Sequence, residues 1–156
     1  MFIPLLIAAA APVEGATLWR DIKAGMPESA LRGIYPEKSG SVVYHKDWAT
    51  LKDAFTIGGC HPSVEVVFKS GGVTQVGIWS RPQGVLRRTC GDDVQTALTG
   101  KYGEPATQAT DTTPVSGKSL HYTWKAGDTV IDFTRENMEA SDTWHVRYMP
   151  AGSSDL

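Results

Sequence analysis

The sequence predicts an α+β fold: two tandem helix–β–β–β units forming an antiparallel sheet, with the helices packed on one face. Three observations predict it. Apolar residues recur at helical spacing over residues 91–102 and, more briefly, over 27–33. Runs rich in β-branched and aromatic residues, bounded by glycine-containing turns, follow each of these segments. The two stretches also align. Ala30-Leu31-Arg32-Gly33-Ile34-Tyr35-Pro36-Glu37 falls on Ala97-Leu98-Thr99-Gly100-Lys101-Tyr102-Gly103-Glu104, with Ala, Leu, Gly, Tyr and Glu coinciding. The same offset carries Phe55 onto Tyr122, Ile57 onto Trp124, Val64 onto Ile131 and Val66 onto Phe133.

The elements follow in chain order. Residues 2–11 (FIPLLIAAAA) are apolar and uncharged. The run is much shorter than the roughly 20 residues of a membrane-spanning helix, so no membrane span is expected. It has the length of a secretory apolar region, with small residues at Ala8, Ala9 and Ala10. Residues 1–10 are therefore expected to be a signal peptide. No Lys or Arg precedes the run and Pro4 interrupts it, so a buried N-terminal strand or helix is the alternative.

The first unit spans 17–80. Its helix, 27–33, has Pro27 in the first turn and Ala30, Leu31 and Ile34 facing inward. Strands are expected over 51–57, 63–69 and 73–79, with Gly58-Gly59 and Gly71-Gly72 as turns. Residues 80–89 form a linker whose Arg81, Arg87 and Arg88 read as a solvated basic segment rather than an anion site. The second unit spans 81–149. Its helix, 91–102, carries Asp92 and Asp93 in the first turn, where the dipole favours them, and Gly103 stops it. Residues 103–118 are rich in Thr, Pro, Ala and Ser and read as a mobile surface loop. Strands are expected over 120–124, 129–134 and 143–148, with Ala126-Gly127-Asp128 turning the first pair, and 150–156 is a polar tail. Neither unit buries its apolar strand face alone, so the two are expected to share a sheet or a core.

Composition narrows the function. In 156 residues, 41% hydrophobic and 21% charged is ordinary for a globular chain and argues against disorder. Fifteen Lys and Arg against 17 Asp and Glu leave no global electrostatic case for nucleic acid. Two cysteines are too few for a four-cysteine zinc site. In an oxidising compartment, Cys60 and Cys90 are expected to form one disulfide. The alternatives are a metal site or a reactive thiol, for which Cys90 lies just before the second helix, whereas Cys60 and His61 are adjacent, point apart in an extended chain and make a poor dyad. There is no dinucleotide fingerprint, P-loop, nucleophile elbow or helical His-x-x-x-His pair, so no cofactor and no metal are expected.

The opening Ile22-Lys23-Ala24-Gly25-Met26-Pro27-Glu28-Ser29-Ala30-Leu31 resembles the Gly-Met, then helix, start of outer-membrane assembly lipoproteins of the BamE/SmpA type. Pro27 stands where that family usually has Thr, and no cysteine follows the apolar run. Helix, strands and a repeat of that order resemble the β-lactamase inhibitory protein fold. The resemblance implies a non-enzymatic periplasmic or secreted binding module.

Strand periodicity sorts the faces. Leu120, Tyr122 and Trp124 point one way, and His121 and Thr123 the other. Pairing Trp124 with Thr129 sets Tyr122 against Ile131, Leu120 against Phe133 and His121 against Asp132. Pairing Phe133 with Trp144 then sets His145 beside Asp132, with Arg147 nearby. A His121–Asp132–His145 row is expected on the face away from the core. Such a row suits metal or acid–base chemistry, and it equally suits wet outward positions. In the first unit the outward candidates are Glu65, Val67, Lys69, Gln75 and Trp79. Trp79 is the best exposed anchor, whereas Trp124 and Trp144 fall on the core face.

The leading expectation is a secreted or periplasmic, non-enzymatic protein-binding module, inhibitor-like or envelope-assembly. Its binding residues would be Trp79, Glu65, Lys69, Gln75, His121, His145 and Arg147, and its partner a protein. The alternative is a small metal-dependent or acid–base enzyme using His121, Asp132 and His145.

Overall fold

The computed structural model describes residues 15–115 and 117–153. The expected signal peptide and residues 154–156 of the tail lie outside them. The chain runs β1 (Thr17–Trp19), β2 (Ile22–Lys23), α1 (Glu28–Ile34), β3 (Val42–Tyr44), β4 (Trp48–Lys52), β5 (Ser63–Lys69) and β6 (Gly72–Trp79). It continues through α2 (Gly91–Tyr102), β7 (Thr107–Thr113), β8 (Gly117–Ala126), β9 (Thr129–Glu136) and β10 (Thr143–Pro150).

The tandem helix–β–β–β arrangement does not form. The described chain is mostly sheet. One eight-stranded antiparallel sheet runs β3-β4-β5-β6-β10-β9-β8-β7, and β1 and β2 make a separate two-stranded sheet. Four strands follow each helix rather than three, and β6 pairs with β10 to join them all in one sheet.

The extra strands come from segments with no apolar alternation to betray them. β7 reads TQATDTT and is exposed along almost its whole length, so its composition resembles a loop. Its threonines are β-branched and suit a pleated surface, and it pairs with β8 from Thr107↔Thr123 to Thr113↔Gly117. The expected mobile loop is therefore an edge strand over much of its length. β3 is only three residues long. The strand expected over 51–57 lies instead at Trp48–Lys52. Asp53 takes a positive φ of 58° and turns the chain, and Ile57 keeps only an isolated bridge to Cys60.

One face of the large sheet is the core. Alternation places Val64, Val66 and Phe68 of β5, Val76 and Ile78 of β6, Ile131 and Phe133 of β9, and Trp144, Val146 and Tyr148 of β10 there. Leu31 of α1, Val94 and Leu98 of α2, and Leu18, Trp19 and Ile22 of β1 and β2 pack against them. Each such side chain stabilises the fold by roughly 1.5–3 kcal/mol on transfer from water. The β1–β2 ribbon is tied down by the Thr129 hydroxyl, which donates to the Thr17 carbonyl at 2.8 Å.

Arg135 also faces the core, and it is only 4% exposed. Its guanidinium donates to Asp142 at 2.5 and 2.9 Å and to Asp92 at 2.7 Å. It thereby fastens the β9–β10 loop to the start of α2. The close approach requires glycine at 91: a Cβ there would lie 2.5 Å from the Arg135 Nε. Cys60 and Cys90 form the expected disulfide, with Cα atoms 6.2 Å apart, and anchor the loop after β4 to the same helix end.

Candidate functional site

The second face of the sheet carries the polar alternates. Leu31 of α1 and Val94 and Leu98 of α2 join the core face, so this face is the open one; Ala30 and Ile34, expected inward, are exposed because the short helix buries only one residue. Its register differs from the expected one by two residues. A two-residue turn, Gly127-Asp128, pairs Ala126 with Thr129, so Trp124 faces Ile131 rather than Thr129. Across the next pair, Phe133 faces Val146 rather than Trp144. A slip of two leaves every side chain on its expected face but changes its neighbours.

The His121–Asp132–His145 row therefore does not line up strand by strand. One row across the sheet runs Ser63, Trp79, His145, Thr134, His121, Ala109. The next runs Glu65, Gly77, Arg147, Asp132, Thr123, Thr107. His121 and His145 are separated by Thr134, about 10 Å at the usual strand spacing. His121 still reaches Asp132, diagonally: its Nε2 hydrogen-bonds to Oδ1 of the carboxylate. Arg147 lies directly opposite Asp132 and donates to Oδ2 from Nε at 3.2 Å and from Nη2 at 2.5 Å.

Asp132 is thus clamped. Its side chain is 7% exposed, against 32% for Arg147 and 52% for His121. Burial alone pushes the carboxyl up, but hydrogen bonds from Arg147 and His121 outweigh it and hold Asp132 below the usual carboxylate range. An ionised carboxylate only accepts, so His121 presents Nε2–H to it. Both oxygens of Asp132 are engaged. Among the described residues, no group of three or more His, Cys, Asp or Glu is placed to hold a metal ion.

His145 does different work. It lies opposite Trp79, and the two rings stack with centroids 4.8 Å apart and planes 29° from parallel. Burial first, then the Arg147 charge, hold the imidazole below the usual histidine range, so it is neutral at pH 7. Room for the indole comes from Gly77, two residues earlier on the same face: a Cβ there would meet Trp79 Nε1 at 2.9 Å. Trp79 lies over the bare backbone of Gly77 and remains 40% exposed. Glu65 sits across Gly77 from Arg147, at the rim of this cluster.

Lys69 and Gln75 share the open face but belong to its other end, where β5 turns into β6. That end carries a second aromatic pair that sequence reasoning did not single out. Trp48 pairs with Val67, which in turn pairs with Gln75, and it stacks on His45 with centroids 4.5 Å apart and planes 24° from parallel. Trp48 is also 40% exposed. Its signal in the sequence is a His and a Trp three residues apart, close enough to meet across a tight turn. The expected strand started too late to give Trp48 a face. Arg81, Arg87 and Arg88 flank a tight turn closed by Gln83 and Arg88, with Val85 and Leu86 fully exposed at its tip.

Chemically, the open face offers two stacked Trp–His pairs and a locked Arg–Asp–His triad. The triad holds charge in fixed positions, and the tryptophans present broad apolar surface. No protein-family model, curated protein or solved structure matches this chain.

Proposed function

We propose that this protein is a non-enzymatic binding module of an oxidising compartment, periplasmic or secreted, that docks a protein partner on the open face of its sheet. One observation carries the reading. Two tryptophans, Trp79 and Trp48, are each 40% exposed, and each is stacked on a histidine, on the face opposite the core. Tryptophans are favoured interface anchors because one ring buries a large area while losing few rotamers. Stacking orders these rings in advance, which lowers the entropy lost on binding.

Around the anchors, Glu65, Arg147, His121, Lys69 and Gln75 make a polar rim that selects among partners by charge. The Cys60–Cys90 disulfide supports an oxidising compartment, and no helix among the described residues is long and apolar enough to cross a membrane. The Gly25-Met26 opening before α1, which resembles that of outer-membrane assembly lipoproteins, favours an envelope-assembly role. The enzyme alternative is weaker, because Thr134 stands between His121 and His145, and among the described residues no group of three His, Cys, Asp or Glu is placed to hold a metal ion.

The test is a crosslinking capture from cell-envelope extract. Tagged protein serves as bait, and a Trp79→Ala/His145→Ala double variant, verified as folded, is the control. A single partner held by the parent and lost from the variant supports the reading. Capture of nothing, or of a set unchanged by the substitutions, refutes it.

A further inference from the structure

On the core side of the sheet, away from the face described above, the packing is incomplete. Between α2 and the strands lies a cleft of about 130 Å³. Its walls are Trp19 and Phe55 on one side, Val94, Ala97 and Leu98 of α2 on another, and the ring of Trp144 at the sheet. The volume is close to that of apolar cavities that take up one benzene ring, about 150 Å³.

Two polar groups of the walls are engaged elsewhere. Trp144 Nε1 donates to the Thr89 carbonyl at 2.9 Å, and the Tyr148 hydroxyl is hydrogen-bonded to Tyr102. Both rings therefore present carbon to the cleft. Ala97, at the exposed edge of α2, contributes only a methyl group to the lining.

One cationic side chain stands at the cleft itself, and a second braces its walls. Lys101 lines the cleft one helical turn beyond Ala97, with its Nζ 5.1 Å from the Tyr102 ring centroid, and among the described residues no carboxylate lines it. Arg20 lies over two of the wall rings, with its guanidinium carbon 4.5 Å from the Trp19 centroid and 5.7 Å from that of Phe55. Its Nη1 donates to the Ala54 carbonyl at 3.0 Å, which holds it there. Arg20 reaches this position from a left-handed backbone conformation, φ 51°, that a non-glycine residue rarely adopts. Lys101 at an apolar slot of one ring's size, with no carboxylate among the described lining residues, makes a complementary site for an anion with a hydrocarbon body, while Arg20 braces two wall rings without lining the slot.

We propose that this cleft binds a small aromatic or branched-chain monocarboxylate, with its hydrocarbon between Ala97, Phe55 and Trp144 and its carboxylate at Lys101. The site is separate from the Trp79 face, so it stands or falls independently of the docking reading.

The experiment is a titration of the full chain with phenylacetate and, separately, with its uncharged isostere phenylacetamide, followed by ¹H–¹⁵N correlation spectra. The expected result is saturable shifts at Ile78, Val94, Trp144 and Val146. Phenylacetate should bind about fivefold more tightly than the amide, the size of effect a partly exposed ion pair produces. Lys101→Gln should remove that preference while keeping amide binding. Ala97→Phe, whose ring would occupy the slot, should bind neither probe. If Ala97→Phe does not fold, the Lys101→Gln comparison decides alone. No saturable shift at these residues, or equal affinity for the two probes, overturns the proposal. So do shifts confined to the open face.

Discussion

Asp132→Asn removes one charge from the middle of the open face while keeping the side chain's size. In the parent, three charge-assisted hydrogen bonds end on this carboxylate, two from Arg147 and one from His121. Hydrogen bonds to charged groups contribute roughly 1.5–3 kcal/mol each when well buried, and they are not additive. Asp132 is buried, but Arg147 is about a third exposed and His121 about half, so water screens both partners. The asparagine oxygen still accepts from Arg147, and its amide can donate to His121 in the other tautomer. The expected loss at pH 7 is about 2 kcal/mol, less than the 3–5 kcal/mol of a fully buried broken pair. Urea denaturation would read this as a midpoint lowered by about 1 M, given a typical slope for a domain of this size. The effect should depend on pH in a defined direction. Folding holds the Asp132 carboxyl below its ordinary value, so its contribution is complete above the unfolded value of about 3.9 and disappears as pH falls through the folded one. The gap between parent and variant should therefore be constant from pH 7 to about 5 and close on further acidification. A gap below 0.5 kcal/mol at pH 7, or one that does not close in acid, would refute the assignment of Asp132 as the clamped anion of this face.

Replacing both Cys60 and Cys90 by Ser should lower stability by about 3.5 kcal/mol, from the chain entropy of a loop closed over 30 residues. Urea unfolding of the parent with and without reductant checks it. Arg135→Met should destabilise by about 3 kcal/mol, because it leaves Asp142 without its bidentate partner. Asp92→Ala should change stability by under about 0.5 kcal/mol, since that carboxylate is 91% exposed and rehydrates; thermal melts of the two variants separate the cases. Neutral His145 should leave Trp79 emissive at pH 7 and quench it only below the usual histidine range. A parent-minus-Trp79→Phe fluorescence titration measures this, and His145→Gln should abolish the transition. Gly77→Val should push the indole off His145 with little loss of stability, because the atom its Cβ meets belongs to a side chain that can swing away.

Local rules carried a good deal of this molecule. Helix α2 begins and ends where its apolar spacing, first-turn aspartates and Gly103 put it, and β5 has the bounds its alternation predicts. The Cys60–Cys90 disulfide is the one pairing that two cysteines allow. The facing of Trp79, His145, His121, Arg147 and Asp132 needed only the period of two. The tandem architecture failed where the local signal is weakest. Thr107–Thr113 has no buried alternate residues, and Val42–Tyr44 is too short to show a period, so the strand count came out too low.

What the sequence determined alone, then, is which residues face the core and which face water, because side-chain direction along a strand is a property of the backbone. Tertiary structure decided which of the outward residues meet. A two-residue turn at Gly127-Asp128 moved the β8–β9 register by two positions, and the β9–β10 pairing, shifted by two as well, set Arg147 rather than His145 opposite Asp132 and left His145 to stack on Trp79. Register slips of two conserve every hydrophobic contact class, so burial cannot choose between them. The choice falls to turn length, to a missing side chain at Gly77 and to the hydrogen bonds of a single buried carboxylate. None of these can be read from the chain until its strands lie side by side.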